Sequence, residues 1–281
     1  LSPIEFAKWL PNYLKAFGLV GGLRFFSRVA ALAAGGSRAA VPVRIPGLDR
    51  PAWLRPGHKD LSVLKQIFVK REYDVSGAPQ FRCVQDAYRR MLERGERPLI
   101  IDCGAHVGLS VLWFRQAFPQ ARIFAVEPSP ENFAVLERTV GGLEGVTLFH
   151  GGVWNAPGRL RITNAESGMT AFRLERAGPD DGGEVAAITI GEILQRTGSA
   201  GALIVKIDIE GGEAELFRSH ADWLDRTELV IIELHDWLYP WQGTSQAFLQ
   251  QTSRRAFDYL FRGENLFCFR RTGTSGGTAA G

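Results

Sequence analysis

Four short apolar runs, each closed by a carboxylate, constrain this chain more than any other feature. Leu99-Ile100-Ile101 runs into Asp102, Ile123-Phe124-Ala125-Val126 into Glu127, Leu203-Ile204-Val205-Lys206-Ile207 into Asp208, and Leu229-Val230-Ile231-Ile232 into Glu233. Val146 to Phe149 and Asn265 to Arg270 read as further strands. Near-continuous β-rich runs alternating with helical stretches predict an α/β chain with a mostly parallel sheet covered on both faces. The helices expected between them cover the stretch from Gly108 to Phe118, about 130–140, a start at Gly212, and about 245–261. Before the first run, 60–73 and 84–94 also read as helix. Ligands of such sheets bind beyond the carboxyl ends of the strands, so the four acids mark the functional edge. Capping of the following helix accounts for one or two of them. It does not account for the glycines around the first.

That first loop reads Asp102-Cys103-Gly104-Ala105-His106-Val107-Gly108, a DxGxxxG pattern. A dinucleotide fingerprint needs GxGxxG, with glycine where the backbone approaches a pyrophosphate. Asp102 stands where the first glycine would be, and its carboxylate repels a diphosphate. A carboxylate suits a phosphate-free ligand with a cationic amino group, and S-adenosylmethionine is such a ligand. Gly104 lets the backbone pass close to it, with Ala105, His106 and Gly108 on the same loop. Glu127 follows one strand later, near the offset of about 20 residues usual for a ribose-binding acid. Pro128 and Val153 complete the expected cofactor contacts, with Asp208 at the fourth strand end.

Composition and charge narrow the class. The 281 residues are 45% hydrophobic and 22% charged, which suits a folded globule. Cys83, Cys103 and Cys268 form neither a disulfide framework nor a zinc spacing. Reduced thiols and a cytoplasmic setting are expected. The net charge of +3 is uneven: residues 1–60 carry +6 and the remainder −3. The main part therefore has no nucleic-acid footprint. Residues 1–40 are expected to be a helical accessory segment, 41–271 the main domain, and 272–281 a disordered tail.

Within the first segment, Trp9, Tyr13, Phe17, Phe25 and Phe26 accompany Lys8, Lys15, Arg24 and Arg28. Two readings stay open. One is a surface-seeking helix that contacts a membrane through residues 1–35. The other, favoured because Gly18, Gly21 and Gly22 interrupt a long helix, is a helical pair packed on the main domain or on a second copy.

The motifs IDCGAHVGLS, AVEPSPENFAVL, VKIDIEGGEAELF and IIELHDWL resemble those of the FkbM-type S-adenosylmethionine-dependent methyltransferases. The likeness runs from about Asp60 to Arg270, and RPGHKDLSVLKQIFVKREYD is similar to the segment before that family's cofactor loop. The resemblance implies a Rossmann-like class I methyltransferase fold, with a seven-stranded sheet and one antiparallel strand. It also implies O-methylation of sugars, glycolipids or related natural products. One departure is His106, where the family usually has Asn.

Methyl transfer to a hydroxyl needs alignment of the reactants and a base for the leaving proton. His235 is the first choice for that base, because its ordinary pKa of about 6.5 leaves it substantially neutral at pH 7. Asp208 and Glu210 are expected beside it, orienting it or sharing its role; no resident metal is assigned. Lys206 shares a strand face with Asp208 and should pair with a carboxylate. Trp237, Tyr239 and Trp241, in a loop, are candidates for stacking on a sugar, or for a lid. Met169 and Thr170 form a second candidate substrate loop. Two other classes compete. A nucleotide-dependent oxidoreductase is opposed by Asp102, and a non-catalytic interaction module by the joint presence of Asp102, Glu127 and His235.

Overall fold

The computed structural model describes residues 8–35, 39–56, 58–163, 174–178 and 185–271. The expected Met169–Thr170 loop and the tail 272–281 lie outside the described residues.

In chain order the elements begin with α1 (Leu10–Ala34), β1 (Val41–Val43), β2 (Ala52–Leu54), α2 (Asp60–Leu64), α3 (Phe81–Glu93) and β3 (Leu99–Cys103). There follow α4 (Leu109–Ala117), β4 (Arg122–Glu127), α5 (Pro130–Val140), β5 (Val146–Val153), β6 (Gly158–Ile162), β7 (Leu174–Arg176), β8 (Val185–Ile188) and α6 (Ile190–Arg196). The chain continues with β9 (Ala202–Ile207), α7 (Glu213–Leu216), β10 (Thr227–Glu233), α8 (Gln246–Ser253), β11 (Phe257–Arg262) and β12 (Asn265–Arg270).

The chain divides into two compact units, Leu1–Asp74 with Gly104–His150, and Val75–Cys103 with Gly151–Gly281. In the first unit, β4 runs parallel to β5 from Ile123↔Val146 to Glu127↔His150. Pro130 starts α5, and the Ser129 side chain accepts the Asn132 N–H at its first turn. That local chemistry fixes the boundary where the sequence places it. The face of α5 meets β2: Trp53 donates its N–H to Thr139 Oγ1 at 3.1 Å, and Arg138 lies 3.8 Å over the Trp53 ring. Leu109 to Phe114 of α4 are buried throughout. The helix expected over 60–73 stops at Leu64 and passes into a π-helical turn, Lys65–Val69.

In the second unit, β3 and β9 pair in parallel, with Asp102↔Lys206 and Cys103↔Ile207 side by side. β9 pairs in parallel with β10, and β12 runs antiparallel to β10. All five residues of β3 and all six of β9 are buried, which explains why these strands read as unbroken apolar runs. This is the expected Rossmann-like α/β class, with β12 as its antiparallel strand. β6, β7 and β8 are additional: β8 pairs in parallel with the end of β5, and β6 lies antiparallel to both β8 and β7. Residues 245–261 are not one helix. α8 ends at Ser253, and Phe257 onward pairs with β12 as a hairpin turning at Gly263, φ 60°.

Candidate active site

The Gly104–Gly108 loop is built by backbone conformation that few residues tolerate. Gly104, His106 and Gly108 have φ of 86°, 50° and 88°. The N–H groups of Gly104 and Ala105 both bond the Val126 carbonyl, at 3.0 and 2.9 Å, tying the loop to the end of β4. Gly108 is needed for space as well. A Cβ there would lie 2.9 Å from Leu136 Cδ1 and 3.2 Å from Val140 Cγ1 of α5. His106 is among the residue types that enter the left-handed region more readily, as is the Asn usual in the family.

Glu127, buried at the end of β4, holds this loop. It accepts the His106 N–H at 2.9 Å, the Ser129 N–H at 3.0 Å and Asn132 Nδ2 at 3.1 Å. The network continues through residues that the sequence reading did not single out. Arg55 Nη2 donates to Asn132 Oδ1 at 2.7 Å and to Asp60 Oδ1 at 3.0 Å. Asp60 Oδ1 then lies 3.4 Å from His106 Nε2, closing a ring of buried and half-buried polar groups. Three donors of its own chain thus fix the buried Glu127 carboxylate at the strand end. Pro128 is half-buried and accepts a bond from the His150 ring at 3.1 Å; Val153 is buried in the second unit.

The second unit holds the other assigned groups. Asp102 is fully buried, and Lys206 Nζ lies 3.3 Å from Asp102 Oδ1 and 3.4 Å from Asp208 Oδ2. Lys206 thus finds the carboxylate partner that its central position demands. Asp208 N–H donates to the Cys103 carbonyl at 3.0 Å, which places its side chain just past β9. Glu210 follows in the left-handed region, φ 55°, ahead of Gly211 at φ 97°.

His235 is 2% exposed, and its surroundings are acidic. Nδ1 lies 2.8 Å from Oε1 of Glu213, itself fully buried. Nε2 lies 3.7 Å from each of Asp208 Oδ1, Glu210 Oε2 and Glu233 Oε1. Burial alone lowers the His235 pKa, but the Glu213 hydrogen bond and the charges of Glu213, Asp208 and Glu210 outweigh it and raise it to about 9. Glu233 is pushed up to about 8, first by burial and then by the Asp208 charge. The short bond to the histidine is made by Glu213, whereas Asp208 and Glu210 stand farther off. Glu213 stands within the VKIDIEGGEAELF motif, but nothing in the sequence marks it as buried. Asp208, Glu233 and His235 also bring one ligand atom each within 4.8 Å of one another, a donor set that could hold a divalent cation.

The three loop aromatics separate. The Trp237 ring lies 6.3 Å from the His235 ring and is 68% exposed. Tyr239 packs on the turn before α7, where a Cβ on Gly211 would sit 2.5 Å from its ring. Trp241 is wholly exposed. The structure thus brings Trp237 beside the histidine, uses Tyr239 as a prop, and leaves Trp241 in solvent.

The methyltransferase FkbM domain model matches residues 102–261. Methyltransferase sdnD of Sordaria araneosa is 31% identical over 36% of this chain and 34% of its own. Hexuronic acid methyltransferase AglP of Haloferax volcanii is 24% identical over 54% of this chain and 62% of its own. The 31-O-demethyl-FK506 methyltransferase FkbM of Streptomyces tacrolimicus is 27% identical over 49% of this chain and 65% of its own. The chain thus spans between about a third and two thirds of the length of these relatives. With more than half of its residues matched, from Asp102 of the glycine loop into β11, the chain belongs to the FkbM family of methyltransferases.

Proposed function

We propose that this protein is an S-adenosylmethionine-dependent O-methyltransferase acting on a hydroxyl of a sugar, glycolipid or related natural product. The observation that carries the reading is His235: a buried imidazole held by a buried carboxylate, with an exposed indole beside it. The names of two relatives, a hexuronic acid methyltransferase and a 31-O-demethyl methyltransferase, support the acceptor class.

Two sets of residues suit what the reaction needs. In the first, Glu127 and the positive-φ loop suit a ribose and a close backbone approach. In the second, Asp102 offers a buried carboxylate rather than a phosphate cradle. When bound, the cofactor supplies a sulfonium methyl for in-line displacement, so the protein's task is alignment and proton removal. Glu213 fixes the proton of neutral His235 on Nδ1 and leaves Nε2 as the acceptor. Nε2 would take the proton of the acceptor hydroxyl. The resulting imidazolium is stabilised by the charges of Asp208 and Glu210. Trp237 provides an apolar face of the kind that stacks on a sugar ring.

The test is product analysis. The purified chain is given S-adenosylmethionine and a panel of uronic acid glycosides, neutral glycosides, glycolipids and macrolide-type alcohols, with amines and nucleosides as controls. A methyl ether on a sugar or natural-product hydroxyl is expected. Transfer confined to nitrogen, or to the nucleoside, would overturn the reading.

A further inference from the structure

The first 28 described residues, 8–35, contain Lys8, Lys15, Arg24 and Arg28 and no acidic residue. Their helix α1 is 25 residues long and apolar enough to cross a membrane, yet only 17% of its apolar window is buried. It is not one straight rod. Gly18 has φ 72° and ψ 175°, outside helical geometry, with open space around it. Gly18 is therefore a hinge, and glycine is the residue that adopts that backbone at least cost.

The two limbs fold against each other. A Cβ on Gly22 would lie 2.6 Å from the Tyr13 carbonyl oxygen and 2.8 Å from Leu14 Cα, so the backbones touch there. Tyr13 packs its ring on Phe25 and Phe26, at 5.6 and 5.4 Å, and Phe17 meets Phe25 at 5.2 Å. The aromatics thus fill the inside of a helical hairpin. Its tip is Gly18, and the side chains just beyond it face out: Leu19 is 69% exposed, Val20 72% and Leu23 43%. The longer limb, residues 19–34, is about 24 Å long at 1.5 Å per residue, short of a hydrocarbon core of about 30 Å. A hairpin with an apolar tip and a short limb enters a bilayer from one side and does not cross it.

Charge names the surface. Arg24 and Arg28 are exposed on the limb that carries the apolar tip. Arg28 also lines a cavity of about 600 Å³ with Arg44 of the neighbouring hairpin loop, beside Leu32, Pro42 and Val43. Two guanidinium groups against an apolar wall match an amphiphile with an anionic head. We propose that the α1 hairpin anchors this protein to one leaflet of an anionic phospholipid bilayer. The tip residues enter the acyl boundary, and Arg24, Arg28 and Arg44 meet lipid phosphates.

The experiment is co-sedimentation of the full chain with vesicles of phosphatidylcholine alone and of phosphatidylcholine with 30% phosphatidylglycerol. Binding at least tenfold stronger to the anionic vesicles is expected, falling with salt as surface charge pairs do. Leu19→Ser with Val20→Ser should lose at least tenfold of that binding at low salt, while Arg28→Gln with Arg44→Gln removes the preference for phosphatidylglycerol. The tip side chains are exposed, so an unchanged thermal transition in the tip variant confirms that folding is intact. Soluble glycerol phosphate in excess should not release the protein; release would reduce the site to a free-phosphate site and overturn the anchor. Absence of sedimentation with either vesicle would also overturn it. So would a dimer in light scattering that the tip variant dissociates, since the tip would then be covered by a second copy.

Discussion

Glu127 accepts three hydrogen bonds from its own chain, so it is a fixed acceptor at the end of β4. In Glu127→Gln one oxygen becomes an amide donor, and that donor must face either the His106 N–H or the Ser129 N–H and Asn132 Nδ2. Affinity for S-adenosylmethionine should fall by about 1.5–3 kcal/mol, the range for a hydrogen bond to a charged group. Calorimetric titration checks this, and an unchanged affinity would remove Glu127 from the ribose. His235 gives the second residue-scale prediction. With its pKa raised to about 9, the neutral form that can accept a proton is a minority at pH 7. Turnover should rise with pH through about 9, and His235→Gln should lower kcat by about 10²–10⁴-fold and flatten that rise. Stability moves the other way. A histidine whose pKa rises on folding contributes fully below its ordinary value of about 6.5, and that contribution is lost as pH rises through about 9. Glu233, raised to about 8, acts in the same direction, because its folded state holds a proton that the unfolded chain releases near 4.5. Denaturation midpoints measured from pH 6.5 to 9.5 should therefore fall while kcat climbs.

At the scale of elements, α4 and α5 test the cofactor loop. Gly108 combines φ 88° with a Cβ position 2.9 Å from Leu136. Gly108→Ala should cost about 1–3 kcal/mol through overpacking, with backbone strain in addition. A denaturation midpoint equal to the parent's would show that α5 yields without cost. Elements whose ends are set locally were legible from sequence. Ser129 and Pro130 start α5 by capping and φ preference, and Gly141 ends it, so 130–140 can be read directly. β3 and β9 were legible for another reason: buried on both faces, they admit only apolar residues until the carboxyl edge. β11 was not, because Phe257 to Arg262 become a strand only by pairing with β12, and the preceding helical pattern runs into them without a strong break. The acidic site followed the same division. Asp208, Glu233 and His235 stand where the strand ends put them. Glu213 and Asp60 matter because folding buries them against His235 and beside Arg55 and His106, contacts that spacing does not encode.

The whole molecule separates the competing function classes through linkage between binding and stability. The residues proposed to contact the cofactor are Asp102, Gly104, Ala105, His106, Gly108, Glu127, Pro128, Val153 and Asp208. All of them depend on folded geometry: positive-φ backbone, a fixed Glu127, a buried Asp102–Lys206 pair. The unfolded chain offers no such site, so a true cofactor binds only the native state and stabilises it by RT ln(1 + [L]/Kd). At a ligand concentration about 100 times Kd this is about 2.7 kcal/mol. For a chain of this size each kcal/mol shifts the transition by about 2–4 °C, so S-adenosylhomocysteine should raise Tm by about 5–10 °C. NADH and NADPH should leave it in place, because a diphosphate meets Asp102 at the start of the loop rather than a glycine. EDTA should also leave it in place, since protonated His235 supplies positive charge beside Asp208 and Glu210 at neutral pH. Differential scanning calorimetry with each ligand reads all three. A shift with NADH and none with S-adenosylhomocysteine would return the chain to the oxidoreductase reading. No shift with either would mean that the fold persists here as an interaction module, with His235 and Glu213 serving only its stability.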